Sequence, residues 1–413
     1  MFRGGIVRAS SVNRPQSMYN LFVVCPPGLE SVTTRELEQL DMTPRHSGSS
    51  SGDSPNLDDP GKDTGGVECR GTLHDLYRAN LHLRTANRVL LRLGAFHAAA
   101  FPELRRKAGR LSWEEVLAPG QPVVLRVTCH RSRLYHQGAV AQRIAEAIAD
   151  RLGQPPPLRK WSESEQDEGD PAQLILARLD DDHCTISADS SGSLLHRRGY
   201  RLATAKAPLR ETVAAGMLLA SGWDASSPLL DPFCGSGTIP IEAALLARKI
   251  PAGRDRRFAF MNWPNFDSGG WKALQEATKD IPMPPLLKLI ASDRDAGAIR
   301  AAEANAERAG VADCIDFSCR SLSAIEPPPA AGWIVTNPPY GVRVSARSDL
   351  RNLYAQIGKV LRARCPGWNV AILFNSVMLL RHIGVTFDTS LPLMNGGLKV
   401  RLAIGKISQR QEV

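Results

Sequence analysis

Between Pro228 and Phe374, short and nearly uninterrupted apolar runs alternate with longer stretches whose apolar residues recur every three to four positions. The short runs "PLLDP", "LKLIASD", "CIDFS", "GWIVTN" and "WNVAILF" have the length of strands, and their lack of in-out alternation predicts burial on both faces. The longer stretches "GTIPIEAALLARK", "AGAIRAAEANAERAG" and "DLRNLYAQIGKVLRAR" carry the 3.6-residue period of helices that would cover those faces. Strand and helix in alternation predict an α/β domain built on a parallel sheet over residues 228–413. Ligands of such sheets lie at the carboxyl ends of the strands.

Before Pro228 the pattern is α+β. Residues 18–100 predict a strand at Leu21–Cys25, a Pro-Pro-Gly turn, a helix from about Leu29, strand "GVECRG", helix "TLHDLYRANLHL" and strand "NRVLLRLGAF". Residues 101–192 predict strand "QPVVLRVTCH", helix "GAVAQRIAEAIADRLG" and a strand pair folded about Asp180–His183. Segment 43–66, rich in Ser, Gly, Asp and Pro, has too little apolar surface to fold and is expected to be a disordered insert. Residues 1–17 hold three arginines and neither an acid nor an apolar core, which excludes a secretory signal; a disordered leader is expected, with Met18 a candidate start. Residues 193–227 form a basic linker and a helix beginning near Leu209.

A chain of 413 residues should make two or three domains. With 43% hydrophobic and 23% charged residues it is an ordinary globular composition, and no apolar window is long enough for a membrane span. The eight cysteines are scattered, without a CxxC, and no His pair stands at zinc spacing. That predicts reduced thiols in the cytoplasm and no metal site. The net charge of +9 favours an anionic partner such as nucleic acid, while 6% aromatics argue against a broad stacking surface. Arg131 and Arg133 stand at a strand-to-helix junction, and Arg197, Arg198, Arg201, Lys206 and Arg210 follow without an acid between them. Each group is either a phosphate-contacting edge or a solvated basic segment.

Two motifs carry chemistry. "LLDPFCGSGTIPIEAA" (229–244) is a strand, a glycine-rich turn and a helix start. Gly235 and Gly237 permit positive φ and a close backbone approach to a ligand, and free amides at the helix start suit an oxygen-rich group. No Lys follows, and Pro240 replaces the third Gly, so neither a P-loop nor a dinucleotide fingerprint fits. Asp293 closes the next strand, where an acid either accepts from ribose hydroxyls or caps a helix; Asp295 is the better cap candidate. The second motif, "TNPPYG" (336–341), ends a buried strand with a rigid turn, because proline cannot donate to a ladder. The Asn337 amide oxygen and the Pro338 carbonyl could each accept one N–H of a ring amino group, localising its lone pair. Pro339 stiffens that turn, Tyr340 offers a face to an extruded base, and Gly341 lets the chain turn away.

With these residues in place, 228–375 resembles a class I, S-adenosylmethionine-dependent methyltransferase of Rossmann-like fold. "DPFCGSGT" is the cofactor motif and "NPPY" the amino-methyltransferase motif. The front half, through "PPGLESVTTREL", "GGVECRG" and "SADSSGSLLHRRGYR", is similar to a ferredoxin-like unit followed by a THUMP RNA-binding domain. The nearest group is the RlmL type of guanine-N2 methyltransferase acting on large-subunit ribosomal RNA, without a second C-terminal methyltransferase. This resemblance implies S-adenosylmethionine as cofactor, lined by Asp231, Phe233, Cys234, Gly235, Gly237 and Thr238, with Asp293 on the ribose. It makes Asn337, Pro338, Pro339 and Tyr340 the amino-group pocket, and Arg131, Arg133, Arg197, Arg198 and Arg201 the RNA contacts. Relatives often place an Asp near the adenine amino group where this chain has Ser321. Transfer RNA guanine, adenine N6, or an inactive RNA-binding assembly factor remain alternatives on the same motifs.

Overall fold

A computed structural model describes residues 17–45, 65–160, 172–201, 209–279, 288–340 and 347–408. The expected leader, most of the expected insert, Lys206 and Gly341 lie outside these residues.

The chain opens with β1 (Tyr19–Val24), α1 (Glu30–Gln39), β2 (Thr43–Arg45), β3 (Gly66–Gly71), α2 (Leu73–His82) and β4 (Arg88–His97). There follow α3 (Phe101–Ala108), β5 (Val123–His130), α4 (Gln137–Leu152), β6 (Leu158–Arg159), β7 (Gln173–Asp180) and β8 (His183–Asp189). The helix ends are written in the sequence. Thr72 and Asp75 form a reciprocal capping box at the start of α2, and Gly153, at φ +79°, closes α4 in the left-handed conformation. The two α+β units do not keep separate sheets. β4 is ten residues long and pairs with β1 along its first half and β8 along most of its length, giving one eight-stranded sheet of order β2-β3-β1-β4-β8-β7-β5-β6.

The second half contains α5 (Glu211–Ser221), β9 (Leu229–Asp231), α6 (Thr238–Ala247), α7 (Ser268–Lys279), β10 (Leu289–Asp293), α8 (Ala296–Ala309), β11 (Ile315–Cys319) and β12 (Trp333–Thr336). It ends with α9 (Arg347–Arg364), β13 (Asn369–Phe374), α10 (Val377–Arg381), β14 (Phe387–Asn395) and β15 (Leu398–Lys406). Its sheet runs β11-β10-β9-β12-β13-β15-β14. The expected parallel sheet holds from β11 to β13, but β15 and β14 add to it antiparallel. β14 and β15 are joined by the hairpin turn Asn395-Gly396-Gly397-Leu398, whose glycines at φ +56° and +84° make a two-residue type I′ connection. Pro392 is tolerated because β14 is the sheet edge.

One apolar cluster covers this sheet through α5, α6 and α8 and takes in Leu29, the N-cap of α1, and Val32 within that helix; another lies under α9. The core of the eight-stranded sheet in turn includes Phe258, Phe260, Trp263 and Trp271 from the segment between α6 and β10. Phe260 stacks on Tyr77 with ring centroids 4.4 Å apart, and Trp271 meets Phe258 edge-on at 5.6 Å. The halves therefore exchange core side chains in both directions. A polar joint sits beside them: Arg84 donates to the Leu245 and Ile250 carbonyls at the end of α6, while Arg198 stands 3.5 Å from Glu242, which accepts from Tyr200 at 3.1 Å.

Candidate active site

Adjacent parallel strands bring the two motifs together. β9 lies between β10 and β12, with Leu230 level with both Ile290 and Ile334, so Asp231, Asp293 and Thr336 end three neighbouring strands on one edge of the sheet. Thr336 Oγ1 donates to Asp231 Oδ1 at 2.6 Å, tying the strand that leads into Asn337 to the glycine-rich turn. The same oxygen accepts from the Phe233 amide at 3.1 Å. Burial pushes the Asp231 carboxyl up to about 7, against the downward pull of these two hydrogen bonds, and the neighbouring Asp293 charge adds to the rise.

The turn itself is built by Asp293. Its Oδ2 accepts from the Gly235 amide at 3.0 Å and its Oδ1 from the Asp295 amide at 3.0 Å. Asp295 caps α8 by accepting from the Gly297 amide at 2.7 Å. Asn305 donates to the Ser236 carbonyl at 3.0 Å, and Cys234 donates its amide to the Ser292 carbonyl. Gly235 and Gly237 both have positive φ, for different reasons. A Cβ on Gly237 would lie 3.0 Å from that of Ala302, so α8 packs against the turn there. A Cβ on Gly235 would meet nothing within 4 Å, so the turn is open to a ligand on that side. Phe233 is half-buried, Cys234 and Thr238 are buried, and Thr238 starts α6. Ser321 is exposed just beyond β11, its hydroxyl 2.9 Å from that of Ser323.

On the other side of β9, Asn337 Oδ1 is buried and has no hydrogen-bond partner among the described residues. An acceptor left this way destabilises a fold by about 1–3 kcal/mol. It is an unfilled position for a donor. Pro338 is buried, Pro339 exposed and Tyr340 half-buried, with its hydroxyl 3.1 Å from Asn395 Nδ2. The glycine-rich turn, the Asp293 carboxylate and the open side of Gly235 fit a polar organic cofactor, and the orphan amide oxygen fits an N–H donor next to it.

The five arginines separate. Arg131 and Arg133 are 58% and 78% exposed and pair with Asp181 and Asp182, at 2.9 and 3.6 Å, in the turn between β7 and β8. Exposed Tyr135 stands beside them. Arg197 is half-buried. The expectation that Arg198 and Arg201 contact RNA is corrected by the structure: only 3% and 10% of their side chains are exposed. Arg198 is held by Glu242 and by the Leu195 and Arg84 carbonyls, and Arg201 by Glu211 and the Leu209 carbonyl. In the sequence an unbalanced run of arginines looks solvated, because their acids lie up to forty-four residues away, at Glu211 and Glu242. Thr336 and Asn395 were missed. Thr336 opens the second motif, and the "NGG" turn after alternating residues is a legible hairpin signal.

Among the described residues, no helix is long and apolar enough to cross a membrane and no group of acids, histidines and cysteines could hold a metal. Three family models match: "RlmL ferredoxin-like domain" over 57–90, "THUMP domain" over 98–189, and "RMKL-like, methyltransferase domain" over 198–404. A protein of Synechocystis sp. named "Putative RNA methyltransferase slr0064" is 33% identical, over 92% of this chain and 95% of its own. "Ribosomal RNA large subunit methyltransferase K/L" of Syntrophotalea carbinolica is 34% identical over 84% of this chain. The chain spans 50% of that relative's length. Among solved structures, "SMU.472, a putative methyltransferase complexed with SAH" superposes with a TM-score of 0.83 at 27% identity, covering 96% of this chain and all of that one. A Listeria monocytogenes structure called "a predicted N6-adenine-specific DNA methylase" superposes at 0.80 with 30% identity, covering 94% of this chain and 96% of that one.

Proposed function

The chain belongs to the RMKL-like methyltransferase family, and on that premise we propose that it transfers a methyl group from S-adenosylmethionine to the exocyclic N2 amino group of a guanine in large-subunit ribosomal RNA. The observation that carries the reading is the buried, unpartnered Oδ1 of Asn337 beside a turn open at Gly235. S-adenosylmethionine would supply an electrophilic methyl on a sulfonium centre: the N–C bond forms as the S–C bond breaks, S-adenosylhomocysteine leaves, and the proton displaced from the nitrogen passes to water. A guanine amino nitrogen is a poor nucleophile because its lone pair is delocalised into the ring. Asn337 Oδ1 takes one of its N–H bonds and the Pro338 carbonyl the other, which localises the pair and aims it; the effect is positional and electrostatic. Tyr340 stacks on the extruded base. Asp231, Phe233, Cys234, Gly235, Gly237 and Thr238 would line the cofactor, Asp293 would accept from its ribose hydroxyls, and Ser321 would lie on its adenine side. Pro339 keeps the turn rigid.

The THUMP match and the charge of +9 support RNA as the partner. Arg131, Arg133 and Arg197 are the phosphate contacts. For Arg131 and Arg133, phosphate exchanges with Asp181 and Asp182, so they position the RNA while the pocket selects the base.

The test is incubation of the purified protein with labelled S-adenosylmethionine and total RNA containing protein-free large-subunit rRNA. Label recovered as N2-methylguanosine in the large rRNA is the expected result. Label on transfer RNA or on adenosine replaces the substrate. No label on any RNA, with cofactor binding absent by calorimetry, overturns the enzymatic reading.

A further inference from the structure

A tyrosine that stacks on a base must hold its ring in place, and rotation about the Cα–Cβ bond would swing the Tyr340 ring away. The ring is half-buried against the apolar cluster that contains Leu393 and Val400, which limits it from one side. Its hydroxyl is met by Asn395 Nδ2 at 3.1 Å. Asn395 lies at the end of β14, paired across the turn with Leu398, and the two positive-φ glycines between them make that corner stiff. β14 is held in turn by the other half of the protein. A Cβ on Gly28, in the turn before α1, would fall 1.8 Å from the Pro392 carbonyl oxygen and 3.3 Å from Leu393 Cδ2. Leu393 is 1% exposed, in one cluster with Leu29 and Val32. Gly28 itself is fixed by Glu30, whose carboxylate accepts from the Gly28 and Gly65 amides at 2.7 and 2.9 Å.

We propose that Asn395 is a positioning residue for the transfer: it anchors the tip of the Tyr340 ring and so fixes where the ring lies, and through Pro392 and Leu393 the RNA-binding half braces the corner that carries it. The inference deepens the functional reading above and rests on it for the stacking role of Tyr340. Asn395 acts through the phenol hydroxyl alone, so its effect must vanish when that hydroxyl is removed.

The experiment is a double-mutant cycle of Asn395→Ala, Tyr340→Phe and the pair, read as single-turnover methyl transfer to rRNA. Each single change is expected to lower the rate roughly three- to tenfold, the worth of one hydrogen bond, and the pair no further than either alone. Cofactor affinity should stay at the wild-type value, and the melting temperature should fall by no more than the loss of one such hydrogen bond, about 4 °C. If Asn395→Ala lowers the rate equally in the Tyr340→Phe protein, Asn395 has only a general structural role and the proposal falls. It falls also if Asn395→Ala transfers at the wild-type rate. A second readout needs no activity. In protein labelled with [4-13C]tyrosine, the Tyr340 resonance, identified by its loss in Tyr340→Phe, should shift in Asn395→Ala. An unchanged resonance overturns the contact whatever the enzyme does, whereas a wild-type protein that methylates no RNA fails the functional reading instead.

Discussion

Asn337 and Asp231 sit one strand apart and do opposite things with burial. Asn337 keeps an acceptor without a donor. Asn337→Ala is expected to lower methyl transfer by about two to three orders of magnitude, as for loss of one preorganised hydrogen-bonding group, while leaving cofactor affinity nearly intact by calorimetry. Full activity in that variant would remove the amide from the mechanism. Asp231 instead has its hydrogen bonds but has lost its water, and its carboxyl titrates at about 7 against 3.8 in an ordinary aspartate. Between about pH 4 and 7 the folded protein holds a proton that the unfolded chain has released. The stability this group contributes is thus complete below about pH 4 and is lost as pH rises through about 7. Asp231→Asn does not ionise and keeps an oxygen for Thr336 and Phe233. Its melting temperature should gain on the wild type steadily across that window, and a difference independent of pH would show that Asp231 is not buried as a neutral acid.

At the scale of elements, the glycine-rich turn is held on one side and free on the other. Gly237 has φ +83° and packs against α8, so Gly237→Ala combines backbone strain with a contact at 3.0 Å. A loss of about 1–3 kcal/mol in urea unfolding is expected. Gly235, at φ +51°, faces open space, so an added methyl there would enter the space that the proposed function gives to the cofactor. Gly235→Ala should weaken S-adenosylmethionine binding more than it lowers stability. Equal effects on stability and binding in both variants would contradict the orientation of the turn. The strands and helices from 228 to 374 were legible because their periods differ so plainly. The β14–β15 hairpin carries alternation and an "NGG" turn, but its half-exposed edge strand lacks the continuous apolar run that marks the buried strands.

For the whole molecule, the two halves share cores and a polar joint, so arginines that read as a basic linker divide into structural and exposed groups. Removing one member of a buried pair destabilises by about 3–5 kcal/mol. Arg198→Met should therefore lower the melting temperature sharply by leaving Glu242, fully buried, with Arg84 as its one nearby cation among the described residues. Arg133→Ala should leave melting unchanged and weaken RNA binding, reducing by about one the slope of log affinity against log salt. If Arg198→Met melts like the wild type and only RNA binding suffers, the joint is not where the structure has it.

The chain alone determined what depends on neighbours in sequence. The period of its apolar residues set the strands and helices, the glycines and prolines set the turns, and two motifs set the chemistry, with Asn337, Gly235 and Asp293 all legible there. What required the tertiary structure depends on residues far apart in the chain. The merging of two α+β units into one sheet is a pairing of β4 with β8 nearly a hundred residues later. The inward turn of Arg198 needs Glu242, and the bracing of Tyr340 needs Asn395 and, behind it, Gly28. Burial decides each of these, because a charge or an amide is free in water and committed only where folding removes the water and supplies the partner.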